Sequence, residues 1–197
     1  MRVSRVQAAE NRQAVIDVAS RLFRERGFDG IGLKDLMQGA GLTQGAFYKQ
    51  FASKEDLVAQ ASRRALESAF RRWSAAAEAN PQDPLGAVIA FYLSMAHCAE
   101  RMDGCPIVAL GADAARQGAD VKASFEAGIS EQLETLSRWI GVADREESTG
   151  KAMAILSTMV GAVLLSRIVN DERLSKRFLQ AAAESVLMGS SAGDAQR

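Results

Sequence analysis

The stretch GLTQGAFYKQF, residues 41–51, decides the fold of the N-terminal part of this chain. It has the composition of a short helix, yet it carries a glycine at position 45. A glycine inside a helix costs roughly 1 kcal/mol relative to alanine. A helix retains such a residue where another surface must come very close to its backbone. The stretch therefore predicts a short helix that meets a second molecule.

The sequence around this stretch predicts three packed helices. An amphipathic first helix spans 10–26, and a short helix at 33–39 leads through a tight turn at 40–42 to a third helix at 44–50, with Thr43 as its N-cap. Two short helices joined by a glycine turn form a helix-turn-helix unit. The second helix of such a unit enters the major groove of DNA with its N-terminal residues leading.

The third helix and its neighbours supply the candidate contacts to double-stranded DNA. Thr43 and Gln44 lead the helix and can donate to phosphates or base edges, and Gly45 lets the DNA come close. Phe47 and Phe51 are expected to anchor the helix to the core. The complete DNA-binding set is Lys34, Thr43, Gln44, Gly45, Ala46, Tyr48, Lys49 and Lys54.

The whole chain is predicted to be all-α. It has 197 residues, only three prolines, and no alternating run rich in Val, Ile and Thr that would indicate a sheet. Ser53, with Asp56 three residues later, starts a long helix in the manner of a capping box. About nine helices are expected, at 10–26, 33–39, 44–50, 54–79, 84–102, 106–117, 120–140, 145–169 and 175–188.

Charge is distributed unevenly along the chain. Residues 1–54 contain nine basic and five acidic side chains, a net charge of +4, which leaves −4 for the remainder of a chain whose total is zero. The basic character of this N-terminal segment, which we call the head, suggests that it alone binds a polyanionic partner. The polar N-terminus lacks the apolar region of a signal peptide, and the longest uncharged apolar stretch, 15 residues between Lys151 and Arg167, is short for a membrane span. A cytoplasmic protein without membrane contact is therefore expected.

Residues 27–57 resemble the N-terminal signature of TetR/AcrR (tetracycline-repressor-type) transcriptional regulators. Many positions agree in order and without gaps, and with the first helix the resemblance covers about 10–60. The family usually has Thr or Ser near 31–32, where this chain has Ile31-Gly32 and so supplies no hydroxyl. The matching elements are Gly27-Phe28, Asp35-Leu36, Ala40-Gly41-Leu42-Thr43, Gly45, Phe47-Tyr48, Phe51 and Ser53-Lys54-Glu55-Asp56-Leu57.

The resemblance implies a domain plan and a mechanism. A three-helix DNA-binding head (1–54) carries a larger helical ligand-binding and dimerisation domain (55–189), and a disordered tail (190–197) is expected after it. Most members of the family are homodimeric repressors that bind a palindromic operator and are released by a small-molecule effector. For the effector pocket the expected residues are Phe91, Tyr92, Met95, Cys98, Met102, Cys105, Phe125, Ile129, Met153 and Leu156. For the dimer interface they are Ile155, Met159, Val163, Phe178, Ala182 and Val186.

Two alternatives remain open from the sequence. One is a helical interaction scaffold that does not bind DNA, which would leave the basic head unexplained. The other is a regulator that senses oxidants or electrophiles through Cys105, which lies at a predicted helix start in DGCPIVAL, a position that favours a reactive thiol. No phosphate loop or paired metal motif is present, so neither an enzyme nor a cofactor is expected.

Overall fold

The structure is a computed structural model that describes the backbone of residues 4–191 and the side chains of residues up to 188. All regular structure in this range is helical, which confirms the predicted fold class. Ten helices are present in it, nine α-helices and one 3-10 helix. They are α1 (Arg5–Arg26), α2 (Leu33–Gly39), the 3-10 helix (Gln44–Lys49), α3 (Lys54–Ala79), α4 (Pro84–Tyr92), α5 (Met95–Ala99), α6 (Pro106–Ala114), α7 (Ala119–Ile140), α8 (Arg145–Ile168) and α9 (Glu172–Ser191).

The described chain forms two compact units. The head unit comprises the residues up to Ala69 together with Arg101–Gly128, and the body unit comprises Phe70–Glu100 and the residues from Ile129 onward. The helices α3 and α7 each run through a boundary between the units. This grouping follows packing, and the functional boundary at residue 54 stays a prediction.

The turn between α2 and the 3-10 helix has the geometry that its glycine predicts. Gly41 adopts a left-handed φ of 71°. The amide of Leu42 donates to the carbonyl of Met37 at 2.9 Å, and that of Gly41 donates to Gln38 at 2.9 Å. These two bonds form a Schellman motif, which ends a helix by satisfying its last carbonyls. The motif fixes the direction in which the chain enters the 3-10 helix.

The third predicted helix is present as a 3-10 helix, and it ends one residue earlier than predicted. Thr43 does occupy the N-cap position, but its side chain makes no capping hydrogen bond. Six residues with a glycine second give little intrinsic support to an α-helix. The tighter 3-10 turn is common in such short segments.

The predicted single helix at 84–102 is in fact two helices. Ser94 causes the break, because its hydroxyl donates to the carbonyl of Phe91 (2.8 Å) and accepts from the amide of His97 (3.1 Å). The same side chain thus ends α4 and caps α5. Serine is compatible with a helix interior, so the apolar pattern alone did not reveal this corner.

The last helix starts earlier and ends later than predicted. The carboxylate of Asp171 accepts from the amide of Arg173 at 2.8 Å, and α9 begins at Glu172 rather than at 175. The helix continues to Ser191, which overlaps the predicted tail at 190–197. The rest of that predicted tail lies outside the described residues.

Helix α8 is apolar on more than one side. Among the described helices it alone is long and apolar enough to cross a membrane, a test based on length and composition that core helices also meet. Here α8 packs along α9 and buries Ala152, Met159 and Val163. We attribute part of its apolar character to this packing.

Candidate nucleic-acid interface

Two phenylalanines hold the 3-10 helix on the head, as the sequence predicts. Phe47 is 1% exposed and Phe51 is 4% exposed, and their rings stack with centroids 5.4 Å apart. The guanidinium of Arg12, from α1, lies 5.0 Å from the ring centroid of Phe51, and its Nε donates to the carbonyl of Gln50 at 3.2 Å. Aromatic packing therefore holds the buried face of the 3-10 helix, and Arg12 of α1 holds its C-terminal end.

Sequence reasoning missed the role of Arg12. Its charge was counted only as part of the basic head. An arginine on α1 gives no pattern that reveals a partner 38 residues away, because that contact depends on how α1 packs on the 3-10 helix. The same side chain lines a polar groove of about 200 Å³ between α1 and α3, together with Gln13, Ile16, Gln60, Arg63, Arg64 and Glu67.

The opposite face of the 3-10 helix is open to solvent. Thr43, Gln44 and Lys49 are exposed, and Tyr48 is 71% exposed although its ring contacts Phe47 edge to face. Ala46 is half-buried. The structure thus separates an anchoring side from a side that presents hydroxyl, amide and ammonium groups, which are the groups that read DNA.

Gly45 is not required by the packing of the described protein. A Cβ atom placed there would have no heavy atom within 4 Å outside its own turn, and its φ is not in the left-handed region. Neither sterics within the chain nor backbone conformation therefore explains a glycine at this position. The close approach of DNA to Gly45 stays a prediction.

Two lysines complete the predicted set. Lys34 is exposed on the first turn of α2, and Lys54 is the first residue of α3 and half-buried. Ser53 caps α3 by accepting from the amide of Asp56 at 3.1 Å, as predicted, while Asp56 accepts from Ala52 rather than from Ser53. Both lysines thus lie at helix N-termini, where amides and dipole favour phosphate. Their contact with DNA stays a prediction.

The residues predicted to line an effector pocket do not share one unit. Met102, Cys105 and Phe125 belong to the head unit, and the other seven belong to the body unit. Among the seven, Met95 and Met153 are exposed, whereas Tyr92 and Cys98 are buried. None of the ten lines the groove of the head unit or the two body-unit cavities described next, and their role stays a prediction.

The body unit has an open cavity of about 810 Å³ along the second half of α7 and the start of α8. Its lining includes Phe70, Glu134, Arg138 and Arg145. A smaller one of about 160 Å³ lies between α8 and α9 beside Ile155. The large cavity mixes acidic, basic and apolar groups, so it does not by itself define a ligand class.

A buried polar cluster lies where α4 meets α5. His97 is 4% exposed, its Nδ1 is 2.7 Å from the carbonyl oxygen of Tyr92, and its ring lies 4.6 Å from that of Tyr92. A carbonyl only accepts, so Nδ1 carries the proton. Arg167 of α8 donates to the carbonyls of His97, Cys98 and Glu100, and so satisfies the end of α5.

The pKa of His97 is lowered from its ordinary value of 6.5, first by burial and then by the guanidiniums of Arg167 and Arg72. The hydrogen bond to the carbonyl of Tyr92 and the carboxylate of Glu100 oppose this shift. Burial and the two cations disfavour the imidazolium more than these groups favour it. The ring is neutral in the folded chain near neutral pH.

We expect the free energy of unfolding to fall as the pH is lowered below 6.5, the ordinary pKa of His97. Above that pH the ring is neutral in both states, and below it the unfolded chain takes up a proton that the folded chain resists. The slope reaches at most about 1.4 kcal/mol per pH unit until the folded-state pKa is reached. Thermal unfolding measured at intervals from pH 7.5 to pH 5 tests this.

The matched variant for that titration is His97→Asn, which keeps a donor near the carbonyl of Tyr92 and removes the titrating ring. The chain has a single histidine, and most carboxylates titrate at lower pH, so the slope isolates this group. His97→Asn should flatten the pH dependence whatever it does to stability at pH 7.5. Equal slopes for the parent and the variant would contradict the assignment.

Both cysteines are buried, and neither forms a disulfide. Cys98 Sγ lies 3.3 Å from the hydroxyl of Ser166, which in turn lies 2.6 Å from that of Ser175. Cys105 is 3% exposed at the N-cap position of α6, and its side chain makes no capping bond. Reaction of Cys105 with an oxidant would require local opening, and a sensing role stays a prediction.

The residues predicted for the dimer interface lie mainly inside the single chain. Ile155, Met159, Val163, Ala182 and Val186 are buried where α8 packs on α9, and Phe178 is half-buried. A period of 3.6 residues identifies an apolar stripe but not the neighbour that covers it. Exposed apolar side chains on the same two helices are Met153, Leu164, Leu165, Ile168, Leu174, Leu187 and Met188.

The head has three helices, and the last of them, the 3-10 helix, is anchored on one face and exposed on the other. This arrangement defines the helix-turn-helix class of DNA-binding regulators. Residues 15–61 match the family model of bacterial regulatory proteins, tetR family. A solved TetR transcriptional regulator from Chloroflexus aurantiacus superposes with a TM-score of 0.77 at 25% identity, over 92% of this chain and 96% of that one. The chain thus resembles tetR-family regulators, in sequence through residues 15–61 and in fold along most of its length.

Curated relatives match mainly through the head. The transcriptional regulator AcrR of Shigella flexneri is 39% identical over 59 residues, which are 30% of this chain and 27% of AcrR. The transcriptional repressor KstR2 of Mycobacterium tuberculosis is 32% identical over 94 residues, 46% of this chain and 47% of KstR2. The chain thus spans less than half of the length of each of these two relatives.

Proposed function

We propose that this protein is a homodimeric transcriptional repressor that binds a palindromic operator and is released by a small molecule. The observation that carries the proposal is the difference between the two faces of the 3-10 helix. One face is anchored to the head by the buried rings of Phe47 and the following Phe51, and the other is exposed, with open space beside Gly45. Repression is favoured because the relative KstR2 is a transcriptional repressor. The protein acts in the cytoplasm, where its operator is.

In this proposal the 3-10 helix lies in the major groove. Gln44 reads base edges with its amide, and Thr43 and Tyr48 donate hydroxyls to phosphates. Lys34, Lys49 and Lys54 neutralise phosphates and release counterions, so the affinity falls steeply with salt. The scaffold alternative predicts no such salt-dependent affinity for DNA.

A second copy is proposed to pack on the exposed apolar face of α8 and α9. Leu164, Leu165 and Ile168 form the C-terminal part of this face on α8. A Cβ atom at Gly161, one turn earlier, would meet no heavy atom within 4 Å, so a partner helix can come close there. A two-fold dimer carries two heads, which match the two half-sites of a palindrome.

Release by a small molecule requires only that the effector binds better to the conformation with low DNA affinity. The body unit is proposed to bind it. The candidate places are the open cavity beside α7 and the seven predicted residues that belong to the body unit. Reciprocity then requires that DNA weakens effector binding by the same factor.

The test of DNA recognition begins with the purified chain and sheared genomic DNA of its source at moderate salt, followed by sequencing of the retained fragments. An enriched palindrome with half-sites about one helical turn apart supports the proposal. Retention without a shared motif would indicate a non-specific DNA binder. No retention by a folded protein would favour the scaffold alternative.

Variants of the 3-10 helix then assign roles. We expect Lys54→Ala and Tyr48→Ala to weaken binding to all sequences alike, and Lys54→Ala to reduce the salt slope by about one. Gln44→Ala should also change the base preference, with a loss of about 1–3 kcal/mol at the base it contacts. Equal losses for Gln44→Ala on every sequence, measured by fluorescence anisotropy, would show that its role is misassigned.

A further inference from the structure

The polar groove between α1 and α3, which we call the α1–α3 groove, contains none of the predicted DNA-binding residues. It has a volume of about 200 Å³ and lies wholly within the head unit. Three of its lining side chains are basic, Arg12, Arg63 and Arg64. Only Glu67 is acidic, so the lining carries a net charge of +2. A concave surface with one dominant charge attracts ligands of the opposite sign.

Only one of the three arginines is neutralised by a carboxylate. The Nε of Arg64 donates to Oδ1 of Asp17. Arg12 and Arg63 form no ion pair among the described residues, although Glu67 follows Arg63 by four positions on the same helix. Charged side chains at this spacing on a helix are neighbours and can pair, and here they do not. Two guanidiniums at the groove are therefore left for an anion from outside the chain.

The guanidinium of Arg12 is held in place with most of its donors unused. Its Nε donates to the carbonyl of Gln50 at 3.2 Å, and the guanidinium lies 5.0 Å from the ring centroid of Phe51. The bond to Gln50 uses one of the five N–H groups of the guanidinium. Its two terminal nitrogens have no hydrogen-bond partner in the part of the chain that the structure describes. A donor that is already fixed loses little entropy when it binds a ligand.

The two guanidiniums determine the class of anion that fits the groove. Arginine binds phosphate and carboxylate groups through pairs of parallel hydrogen bonds. A phosphate group carries a charge near −2 and three acceptor oxygens, so it can bind two arginines at once. The volume of the groove is below the roughly 300–1,000 Å³ of sites for drug-sized ligands, which favours a compact group. A phosphate group meets these requirements.

We propose that the α1–α3 groove is a binding site for a phosphate group, with Arg12 and Arg63 as its direct ligands. The phosphate belongs either to the DNA backbone beside the operator or to a free phosphate ion, because both present the same kind of oxygen atoms. The site stands independently of the proposed function, and only its DNA source rests on that proposal. Since Arg12 also holds Gln50, an occupied groove lies beside the C-terminal end of the 3-10 helix.

The first experiment titrates the full-length protein with inorganic phosphate at constant ionic strength, by isothermal titration calorimetry. We expect saturable binding. Arg63→Gln should weaken it at least about ten-fold, because hydrogen bonds between charged groups are lost. Arg63 is exposed, so this variant keeps the fold. Arg71→Gln is the matched control, since Arg71 is an exposed arginine of the same helix outside the groove.

The second experiment measures the salt dependence of DNA affinity for the same variants. If the phosphate belongs to DNA, Arg63→Gln should weaken binding to all sequences alike and lower the salt slope by about one. Arg71→Gln should do neither. An unchanged slope, together with binding of inorganic phosphate that requires Arg63, identifies a free phosphate as the ligand.

Two results overturn the inference, and both include equal salt slopes for the parent and Arg63→Gln. In one, the parent shows no saturable binding of inorganic phosphate. In the other, the parent and Arg63→Gln bind inorganic phosphate equally well. A protein that binds phosphate through Arg63 but binds no DNA leaves the inference intact and defeats the proposed function instead.

Discussion

Gly45→Ala is expected to lower operator affinity at least about ten-fold while stability stays at or slightly above that of the parent. The new methyl group meets no atom of the protein, since no heavy atom lies within 4 Å of its position. It also reduces the conformational freedom of the unfolded chain, which stabilises the fold by up to about 1 kcal/mol. In the complex the methyl group occupies space needed by the DNA, and a ten-fold loss corresponds to about 1.4 kcal/mol.

Gly150→Ala is the matched control for this variant. Gly150 lies in α8, is exposed, and also has no heavy atom within 4 Å of a Cβ position. Both substitutions should preserve or raise the melting temperature, and only Gly45→Ala should weaken DNA binding. If Gly45→Ala binds the operator as tightly as the parent, DNA does not approach this part of the 3-10 helix.

Ile168→Glu is expected to convert the dimer to a monomer. Ile168 is 66% exposed at the end of α8, in the face proposed for the second copy. A carboxylate buried without a partner in an interface costs about 2–5 kcal/mol, which weakens the dimer about thirty- to several-thousand-fold. In sedimentation at micromolar concentration the parent should have twice the chain mass of 21.1 kDa, and the variant that mass itself.

Val6→Glu provides the control, because Val6 is equally exposed, at 68%, but lies on α1. It introduces the same charge outside the proposed face and should leave the dimer intact. Affinity of Ile168→Glu for the full palindrome should fall to the level of a half-site, since the two heads are no longer linked. A dimer that survives Ile168→Glu would place the interface elsewhere.

The anchoring side of the 3-10 helix was predictable from the sequence, because it depends on local features. Gly41 ends α2 by a motif confined to six residues, and Phe47 and Phe51 follow at helical spacing. The helical type of that segment was not predictable. Six residues are too few for the sequence to favour α-helical over 3-10 geometry.

In the body unit, too, the helices were predictable from the sequence, whereas the residues that pack against one another were not. Apolar periodicity located α8 and α9, but only the folded chain showed that Met159 and Val163 face its own core while Leu164 and Ile168 remain exposed. Neighbouring positions on an apolar helix are alike in sequence, and burial is decided by which helix packs against them. The hydroxyl of Ser94, which divides α4 from α5, likewise acts through bonds that form only at that corner.

By itself the sequence determined an all-helical chain, a helix-turn-helix at 33–50 and the exposed polar side chains that begin with Thr43 and Gln44. It could do so because capping, glycine turns and periodicity act within a few residues. Tertiary structure alone decided the contacts of Arg12, Arg24 and Asp113. The guanidinium of Arg24 donates to the carbonyl of Gly104, which lies 80 residues along the chain, and Asp113 accepts from the amide of Phe28, 85 residues away. No local rule specifies such pairs, because they exist only once α1 and α6 are packed together.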